Sequence, residues 1–102
     1  MAHFDEHVEV IPETKKKVKV PKKYKVILLN DDYTTMEFVV FVLETIFHKT
    51  PAQAKGLMLA IHNTGSGVAG VYSHEIAETK VAIVTETSKA NEYPLRCVME
   101  EE

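Results

Sequence analysis

Residues 24–40 read YKVILLNDDYTTMEFVV, and this stretch decides the fold. Residues 24–29 form a short apolar run of β type, and the Asn-Asp-Asp sequence at residues 30–32 is typical of a turn. A helix should begin directly afterwards, because Thr34 can cap it and Glu37 stands three residues on, the spacing of a capping box. The stretch therefore predicts a strand, a tight turn and a capped helix in immediate succession.

The helix that follows this turn carries apolar side chains around much of its circumference. Residues at helical spacing form a main apolar stripe and a flanking stripe. The main stripe is Met36, Val39, Val40, Leu43 and Phe47, and the flanking stripe is Phe38, Val42 and Ile46. We expect this helix to pack on two sides or to line a groove.

A second helix is marked at both of its ends. Thr50 can cap it, Pro51 falls at the first helical position, and Gln53 completes a capping box. The helix should run to about Asn63 and stop at Gly65, a plausible C-terminal glycine.

The remaining elements complete a simple order. A short strand is expected at residues 68–72, a third helix at residues 74–91 with Ser73 as its cap, and a final strand at residues 94–100. The order is therefore β-α-α-β-α-β. It predicts an α/β fold, an α+β sandwich in which three helices pack a three-stranded antiparallel sheet.

Length and composition restrict the function classes. The 102 residues suffice for one domain, and Cys97 is the single cysteine, which excludes an internal disulfide or a cysteine-based zinc site. No apolar stretch approaches the roughly 20 residues of a membrane span, and the N-terminus lacks the apolar segment of a signal peptide. We therefore expect a cytoplasmic protein that binds no membrane and no metal and needs no cofactor.

The N-terminal stretch differs in charge from the remainder. Residues 1–23 hold six lysines and four acidic residues, whereas residues 24–102 hold six basic and eleven acidic residues. Pro12, Pro21 and the lack of apolar periodicity indicate a flexible arm before a folded domain at residues 24–102. A solvated linker is the favoured interpretation. The rival is a nucleic-acid-binding accessory protein whose basic arm grips phosphates, and the acidic folded domain argues against it.

Residues 65–70 read GSGVAG and match a dinucleotide-binding fingerprint by letter. That motif should follow a strand and open a helix, whereas here it follows a predicted helix and leads into a predicted strand. We interpret it as a flexible helix-to-strand connection and discard nucleotide binding.

The polar cluster at residues 30–32 has two interpretations. Asn and Asp commonly bond their own backbone in turns, and this structural role is favoured over a binding role. A metal site is poorly supported, because no second His or Cys stands at ligand spacing.

His62 lies beside two apolar residues on the second predicted helix. It follows Met58 by four residues and Ile61 by one, so the three side chains should be neighbours. A partly buried, hydrogen-bonded histidine is the favoured interpretation. Catalysis would need a nucleophile within reach, and Cys97 stands in no recognisable catalytic setting. An enzyme is therefore not expected, and a small hydrolase using His62 and Asp32 ranks third among the hypotheses.

Lys80 stands in an unusual place on the third predicted helix. The apolar arc of that helix is Ile76, Ala77, Val81, Ile83 and Val84. Lys80 falls near the middle of this arc, about 40° from Ile76 and from Val84. Two explanations stay open: the stem reaches along the apolar surface to put the ammonium in water, or the ammonium is kept for a partner's carboxylate.

Five separate segments occur at residues 24–34 (YKVILLNDDYT), 36–39 (MEFV), 57–62 (LMLAIH), 77–82 (AETKVA) and 93–95 (YPL). Taken together, these segments closely resemble the ClpS adaptor family. The resemblance covers about residues 24–100 in consistent order. It implies an adaptor that binds polypeptides whose first residue is Leu, Phe, Tyr or Trp, the N-degrons. It also implies delivery of these polypeptides to the N-terminal domain of a Clp AAA+ unfoldase, of ClpA or ClpC type, for proteolysis.

The resemblance also implies roles for individual residues. The substrate's α-amino group would be held by Asn30, Asp31 and His62. The side-chain pocket would be formed or rimmed by Asp32, Thr34, Met36, Met58, Ile61 and Leu95. Met36 would act as a gate against β-branched first residues. The surface that docks on the unfoldase would include Tyr33, Glu75 and Lys80.

Two residues depart from the family pattern. Thr35 stands where the family usually has Pro, and Ala69 replaces a commonly seen Cys. Neither residue belongs to the implied pocket, so the implied contacts are unchanged.

These residue types suit a ligand that joins an ammonium to a bulky apolar side chain. An ammonium needs acceptors in several directions, and an amide carbonyl, a carboxylate and a neutral imidazole nitrogen supply them. Methionine adapts to rings and to branched chains alike. We therefore expect one cavity with apolar walls and a polar mouth.

Overall fold

A computed structural model describes residues 20–102 and shows six elements in the expected order. The strands are β1 (Lys23–Leu29), β2 (Ser66–Ser73) and β3 (Arg96–Glu101), and the helices are α1 (Met36–Thr45), α2 (Pro51–Thr64) and α3 (His74–Ala90). β1 is central and pairs antiparallel with both other strands, so the sheet order is β2-β1-β3. The α+β sandwich is confirmed. Most of the expected arm, residues 1–19, lies outside the described residues.

One face of the sheet carries the core. Val26 and Leu28 of β1 are fully buried, and the buried Cys97 of β3 stands opposite Leu28. Helix α3 packs across all three strands, whereas α2 packs on β2 and against α1. Helix α1 adds Phe38, Val39, Val42 and Leu43 to this core, and Phe38 packs against Tyr93 just before β3.

Helix α1 is capped by Thr35 and not by Thr34, so the expected capping box is wrong. The Thr35 hydroxyl oxygen accepts from the Phe38 N–H at 3.1 Å. Thr34 is not available for this role, because its N–H and its hydroxyl both donate to the Asp31 carboxylate. Glu37 then falls at the second helical position, one residue short of the capping-box position.

Helix α2 forms as expected. Thr50 and Gln53 make both hydrogen bonds of the capping box, each at 3.1 Å, and Gly65 ends the helix at a φ of 100°. The glycine-rich stretch that follows is not a flexible connection, because residues 66–70 belong to β2 and pair with β1. The order of helix before strand, which argues against a dinucleotide site, is confirmed.

The buried face of α3 is narrower than expected. Ala77 and Val84 are fully buried, but Ile76 and Ile83 remain 50% and 43% exposed. The sheet beneath the helix has three strands within residues 20–102, and these strands cover a narrow strip of the helix. Ser73 stands at the N-cap position, yet its side chain makes no capping hydrogen bond.

Lys80 holds α3 to the end of α1. Its Nζ donates to the carbonyl oxygen of Ile46, the C-cap residue of α1, at 2.6 Å. The same ammonium lies 5.8 Å from the ring centroid of Phe47 and 5.6 Å from that of Tyr72. The ammonium is thus used inside the molecule, which differs from both explanations considered for it. It satisfies one of the carbonyl groups that a helix leaves unpaired at its C-terminus.

Candidate functional site

A cavity of about 200 Å³ lies where β1 ends and α1 begins. Three parts of the chain line it: the turn after β1, the first turn of α1 and the second half of α2. The lining residues are Asn30, Asp31, Asp32, Thr34, Met36, Val39, Met58, Ile61 and His62. Both polar features that the sequence singles out, residues 30–32 and His62, therefore meet at one cavity.

A backbone hydrogen bond brings these two features together. The Asn30 N–H donates to the carbonyl oxygen of Gly65 at 2.9 Å. Gly65 directly follows α2, in the left-handed conformation that glycine adopts without steric penalty. His62 lies on the last turn of α2, three residues earlier, with its side chain exposed. The bond thus fixes the end of β1 beside the helical turn that carries His62.

Asp31 organises the mouth of the cavity. Its Oδ1 accepts from the backbone N–H of Tyr33 at 2.8 Å and of Thr34 at 2.7 Å, and its Oδ2 accepts from the Thr34 hydroxyl at 2.8 Å. Burial opposes ionisation of this carboxyl, but the three hydrogen bonds outweigh burial and lower the pKa of Asp31. The carboxylate is therefore held charged and oriented. A carboxylate has about four lone-pair sites, so capacity for a further donor remains.

The walls of the cavity are apolar and come from the two helices. Met58 and Ile61 of α2 and Val39 of α1 are buried, whereas Met36, the first residue of α1, is 43% exposed. Gly67 of β2 lets the strand approach this wall, since a Cβ there would lie 2.7 Å from the Ile61 Cγ1. The deep walls are fixed by packing, while the flexible Met36 side chain stands at the opening.

This arrangement can bind a cation that carries a bulky apolar group. The Asn30 side-chain carbonyl, the carboxylates of Asp31 and Asp32 and the His62 imidazole supply acceptors at the polar end. Among residues 20–102, no lysine or arginine lines the cavity, so these residues give its mouth a potential that attracts positive charge and repels anions. Sulfur and aliphatic groups at the other end offer an adaptable apolar surface.

Eight of the nine substrate-site residues expected from the sequence line this cavity. The exception is Leu95, which is buried and lines a separate hollow with Tyr93 and Arg96. Leu95 directly precedes Arg96, which pairs with Leu29, so it lies at the same end of the sheet as the turn at residues 30–32. A contribution of Leu95 to binding therefore stays a prediction. Val39 also lines the cavity, although the sequence analysis gives it no role. It lies three residues after Met36 on the same helix face, and this spacing could have predicted its position.

The three expected docking residues do not form one cluster. Tyr33, which is 78% exposed, follows the end of β1 that pairs with Ser66. Glu75 follows shortly after Ser73, which pairs with Lys23 at the other end of β1. The two ends of this strand are about 20 Å apart, at about 3.3 Å per residue. Glu75 and Lys80 share the first half of α3, whereas Tyr33 lies at the cavity end of the sheet.

The described residues do not support a catalytic centre. Thr34 is the one hydroxyl group among the cavity residues, and it donates to Asp31 and not to His62. Cys97 is buried, and burial raises the pKa of its thiol to about 12, which makes it a poor nucleophile at neutral pH. Within residues 20–102 there is no cluster of three or more potential metal-binding side chains. No helix in this span has the length and hydropathy needed to cross a membrane.

Comparison with known proteins gives consistent matches. The profile of the family described as ATP-dependent Clp protease adaptor protein ClpS matches residues 19–98. The chain is 54% identical to the ClpS adapter of Acetivibrio thermocellus over 97% of this chain and 100% of that protein. It is 53% identical to the ClpS adapter of Phenylobacterium zucineum, over 91% and 85% of the two chains. It also resembles the solved structure of Agrobacterium tumefaciens ClpS2 bound to L-phenylalaninamide, with a TM-score of 0.79, 42% identity and coverage of 81% of this chain and 100% of that chain.

Proposed function

This chain belongs to the ClpS family of ATP-dependent Clp protease adaptor proteins, and from that premise we propose that it recognises N-degrons. The ligands are polypeptides that begin with Leu, Phe, Tyr or Trp and have a free α-amino group. They are delivered to the N-terminal domain of a Clp AAA+ unfoldase, of ClpA or ClpC type, for proteolysis. The single observation that carries this proposal is the cavity whose mouth holds Asn30, Asp31 and His62 and whose walls hold Met36 and Met58.

The polar mouth suits an α-amino group. An ammonium has three N–H donors, and the side chains of Asn30, Asp31 and His62 supply three acceptors of different kinds. Asp31 is already oriented by its own hydrogen bonds, so little ordering is needed when a ligand binds. Each charge-assisted hydrogen bond contributes about 1.5–3 kcal/mol. The Agrobacterium relative, which was solved with L-phenylalaninamide, holds a ligand that has the same pairing of an amino group and a large apolar side chain.

The apolar walls suit a large first residue. Burial of a Leu or Phe side chain contributes roughly 1.5–3 kcal/mol. Association costs at least about 4 kcal/mol in lost freedom of motion, so the sum gives weak to moderate affinity. Such affinity fits an adaptor that must release its cargo. Binding requires no bond to be made or broken, so the protein acts without catalysis and without a cofactor.

Delivery requires a surface for the unfoldase that leaves the cavity open. We assign this surface to the first half of α3, where Glu75 is exposed and Ile76 presents an uncovered apolar side chain. Lys80 lies on the same part of the helix, although its ammonium is bonded to Ile46. Tyr33 lies at the cavity end of the sheet, and its part in docking stays a prediction. A cytoplasmic location is part of the same proposal.

The specificity of the gate provides a test of the proposal. Fluorescence anisotropy with peptides that differ only in the first residue should show binding of the Leu, Phe, Tyr and Trp forms. The Ile and Val forms should bind at least about tenfold more weakly, because a branched Cβ would meet the Met36 side chain at the opening. Met36→Ala should relax this rejection, since the variant removes the side chain that narrows the entrance.

A matched control is Leu59→Ala, which shortens a 41% exposed side chain of α2 that does not line the cavity. This variant should keep the wild-type pattern. Equal binding of Phe-first and Ile-first peptides by the wild type would refute the proposed specificity. Continued rejection of Ile by Met36→Ala would remove the gate role from Met36.

A further inference from the structure

Strand β3 forms one edge of the sheet. It pairs with β1 on one side, and within residues 20–102 no strand lies on its other side. Just beyond the end of β3, the Glu102 N–H donates to the Lys23 carbonyl oxygen at 2.9 Å. Because the hydrogen bonds of an antiparallel pair alternate along each strand, the even-numbered residues of β3 bond to β1. The backbone N–H and C=O groups of Cys97, Met99 and Glu101 therefore point away from the sheet.

This edge lacks features that commonly keep an edge strand from pairing with another chain. Proline residues and β-bulges are two such protections. β3 contains no proline, and its register with β1 has no bulge. The residues at its centre, Cys97, Val98 and Met99, are uncharged. The edge thus offers unpaired backbone groups to which an extended strand can be added.

The free backbone groups restrict how a second copy of β3 can pair with this edge. Two identical strands related by a two-fold axis run antiparallel, and residues with free groups must face one another. One register of this kind places Cys97 opposite Met99 of the second copy and therefore Val98 opposite Val98. It also places Arg96 opposite Glu100, twice by symmetry. A shift of two residues in either direction would instead place Val98 opposite Arg96 or opposite Glu100.

The same register extends an apolar row on the outer face of the sheet. Val26 and Leu28 face the core, so Ile27 between them faces the other way. Ile27 pairs with Val68 on one side and with Val98 on the other, and Val68 is 42% exposed. Contact between Val98 and Val98 of the second copy would join two such rows into one row of six β-branched side chains. Cross-strand pairs of this kind stabilise sheets.

A hollow beside β3 has room for side chains of the second copy. Its volume is about 260 Å³, and it is lined by Thr85 and Lys89 of α3 and by residues 93–98. Met99 of the second copy would enter this hollow opposite Cys97, and Glu101 of the second copy would lie toward Lys89. Neither Lys89 nor Arg96 forms an ion pair within the described span. Both cations are therefore available to carboxylates of a second copy.

We propose that the chain forms a symmetric dimer in which two β3 strands pair antiparallel and join the two sheets. Charge complementarity favours a second copy over another polypeptide, because Arg96 and Glu100 meet twice. The exposed Glu100 carboxylate lies 3.4 Å from Lys25 Nζ of its own chain and can accept a second donor. No residue of β3 lines the N-degron cavity, so both cavities would stay open in the dimer. The dimer does not depend on the proposed function.

Sedimentation velocity of the full chain tests the association. An interface of two short strands is small and therefore weak, so the concentrations extend from about 1 µM to about 1 mM. Wild-type protein should shift from monomer to dimer over this range. Arg96→Glu and Glu100→Arg should each weaken dimerisation at least about tenfold at low salt, because like charges then face each other twice. An equimolar mixture of these two variants should regain dimerisation, since unlike charges meet again in the mixed dimer.

The matched controls are Lys55→Glu and Glu78→Arg, which change the net charge by the same amounts at exposed positions of α2 and α3. Both controls should dimerise as the wild type does. Equal weakening by the controls would reduce the effect to overall charge and would overturn the proposed register. A wild type that stays monomeric over the whole range would overturn the dimer itself.

Disulfide trapping locates the contact independently of charge. Val98→Cys should give a linked dimer with oxidised glutathione, because residue 98 faces its own copy at a Cα–Cα separation of about 4.5 Å. Val71→Cys, on the outer face of β2 and 40% exposed, should not link, and neither should the wild type, whose Cys97 is buried. Linkage through Val71→Cys but not Val98→Cys would show that the sheets stack face to face and would overturn edge pairing. L-phenylalaninamide should bind monomer and dimer equally, and its failure to bind would count against the proposed function and not against the dimer.

Discussion

Asp31 has a structural role, and the proposed function also gives it a role in binding. Its carboxylate accepts the N–H groups of Tyr33 and Thr34 and the hydroxyl of Thr34, which shapes the turn after β1. The turn interpretation of residues 30–32 is therefore correct. It is also compatible with binding, because the hydrogen bonds that shape the turn keep the carboxylate ionised at the mouth of the cavity.

The lowered pKa of Asp31 predicts the direction of a pH effect on stability. The carboxyl loses its proton more readily in the folded state than in the unfolded chain. Its contribution is therefore complete above the ordinary aspartate pKa and is lost as the pH falls through the lower, folded-state value. Asp31→Asn should reduce the free energy of unfolding by about 1 kcal/mol at neutral pH, and this difference should shrink in strong acid.

Urea unfolding at a series of pH values measures this difference. The control is Asp32→Asn, because Asp32 is exposed and none of the described hydrogen bonds engages it. A difference between wild type and Asp31→Asn that stays constant into strong acid would rule out the linkage.

His62 gives the most direct single-residue test of the mouth. Its side chain is exposed, so His62→Ala should leave the free energy of unfolding nearly unchanged. Loss of one charge-assisted hydrogen bond should weaken the binding of a Phe-first peptide by at least about tenfold. Asn63→Ala, on the neighbouring exposed residue that does not line the cavity, should bind as the wild type does. Isothermal titration of the two variants decides whether the imidazole contributes.

At the scale of the elements, Lys80 links α3 to the end of α1. Lys80→Gln should lower the free energy of unfolding by about 1–3 kcal/mol, because it removes a charged hydrogen bond to Ile46 and the contacts with two aromatic rings. Lys89→Gln, at an exposed position of the same helix, should have little effect. Thermal unfolding compares the two variants. Equal stability of the two variants would mean that the hydrogen bond to Ile46 does not stabilise the fold. Binding to a partner would then be the one remaining role for Lys80.

The order and type of the elements could be predicted because their local signals are strong. The capping box at Thr50 and the glycine at position 65 mark both ends of α2, and the apolar run before residues 30–32 marks β1. The sequence could not predict which of two neighbouring threonines caps α1. Thr34 and Thr35 are equivalent as caps in the sequence, and only the folded turn shows that Asp31 occupies Thr34.

Features that depend on tertiary packing also could not be predicted from the sequence. Residues 66–70 become strand because β1 supplies partners for them. The exposure of Ile76 and Ile83 follows from the small width of the sheet, which a helical wheel does not contain. That Leu95 lines a second hollow depends on how β3 pairs with β1.

At the scale of the whole molecule, the site depends on the contact between the end of β1 and the end of α2. The end of β1 brings the acceptor oxygens and the end of α2 brings the imidazole, and the Asn30–Gly65 hydrogen bond joins them. The folded domain holds more acidic than basic residues. The positively charged N-terminus of a substrate is therefore attracted to the whole domain as well as to the mouth of the cavity. Moderate salt should weaken the binding of the substrate.

The measurement that tests the N-degron proposal most directly is a titration of one Phe-first peptide with a free and with an acetylated α-amino group. Acetylation removes the positive charge and two of the three donors, while the side chain that enters the cavity stays the same. Binding of the free peptide and loss of at least about 100-fold in affinity on acetylation is the expected result, since more than one charge-assisted hydrogen bond is lost. Equal affinity for the two peptides would contradict recognition of the α-amino group by Asn30, Asp31 and His62.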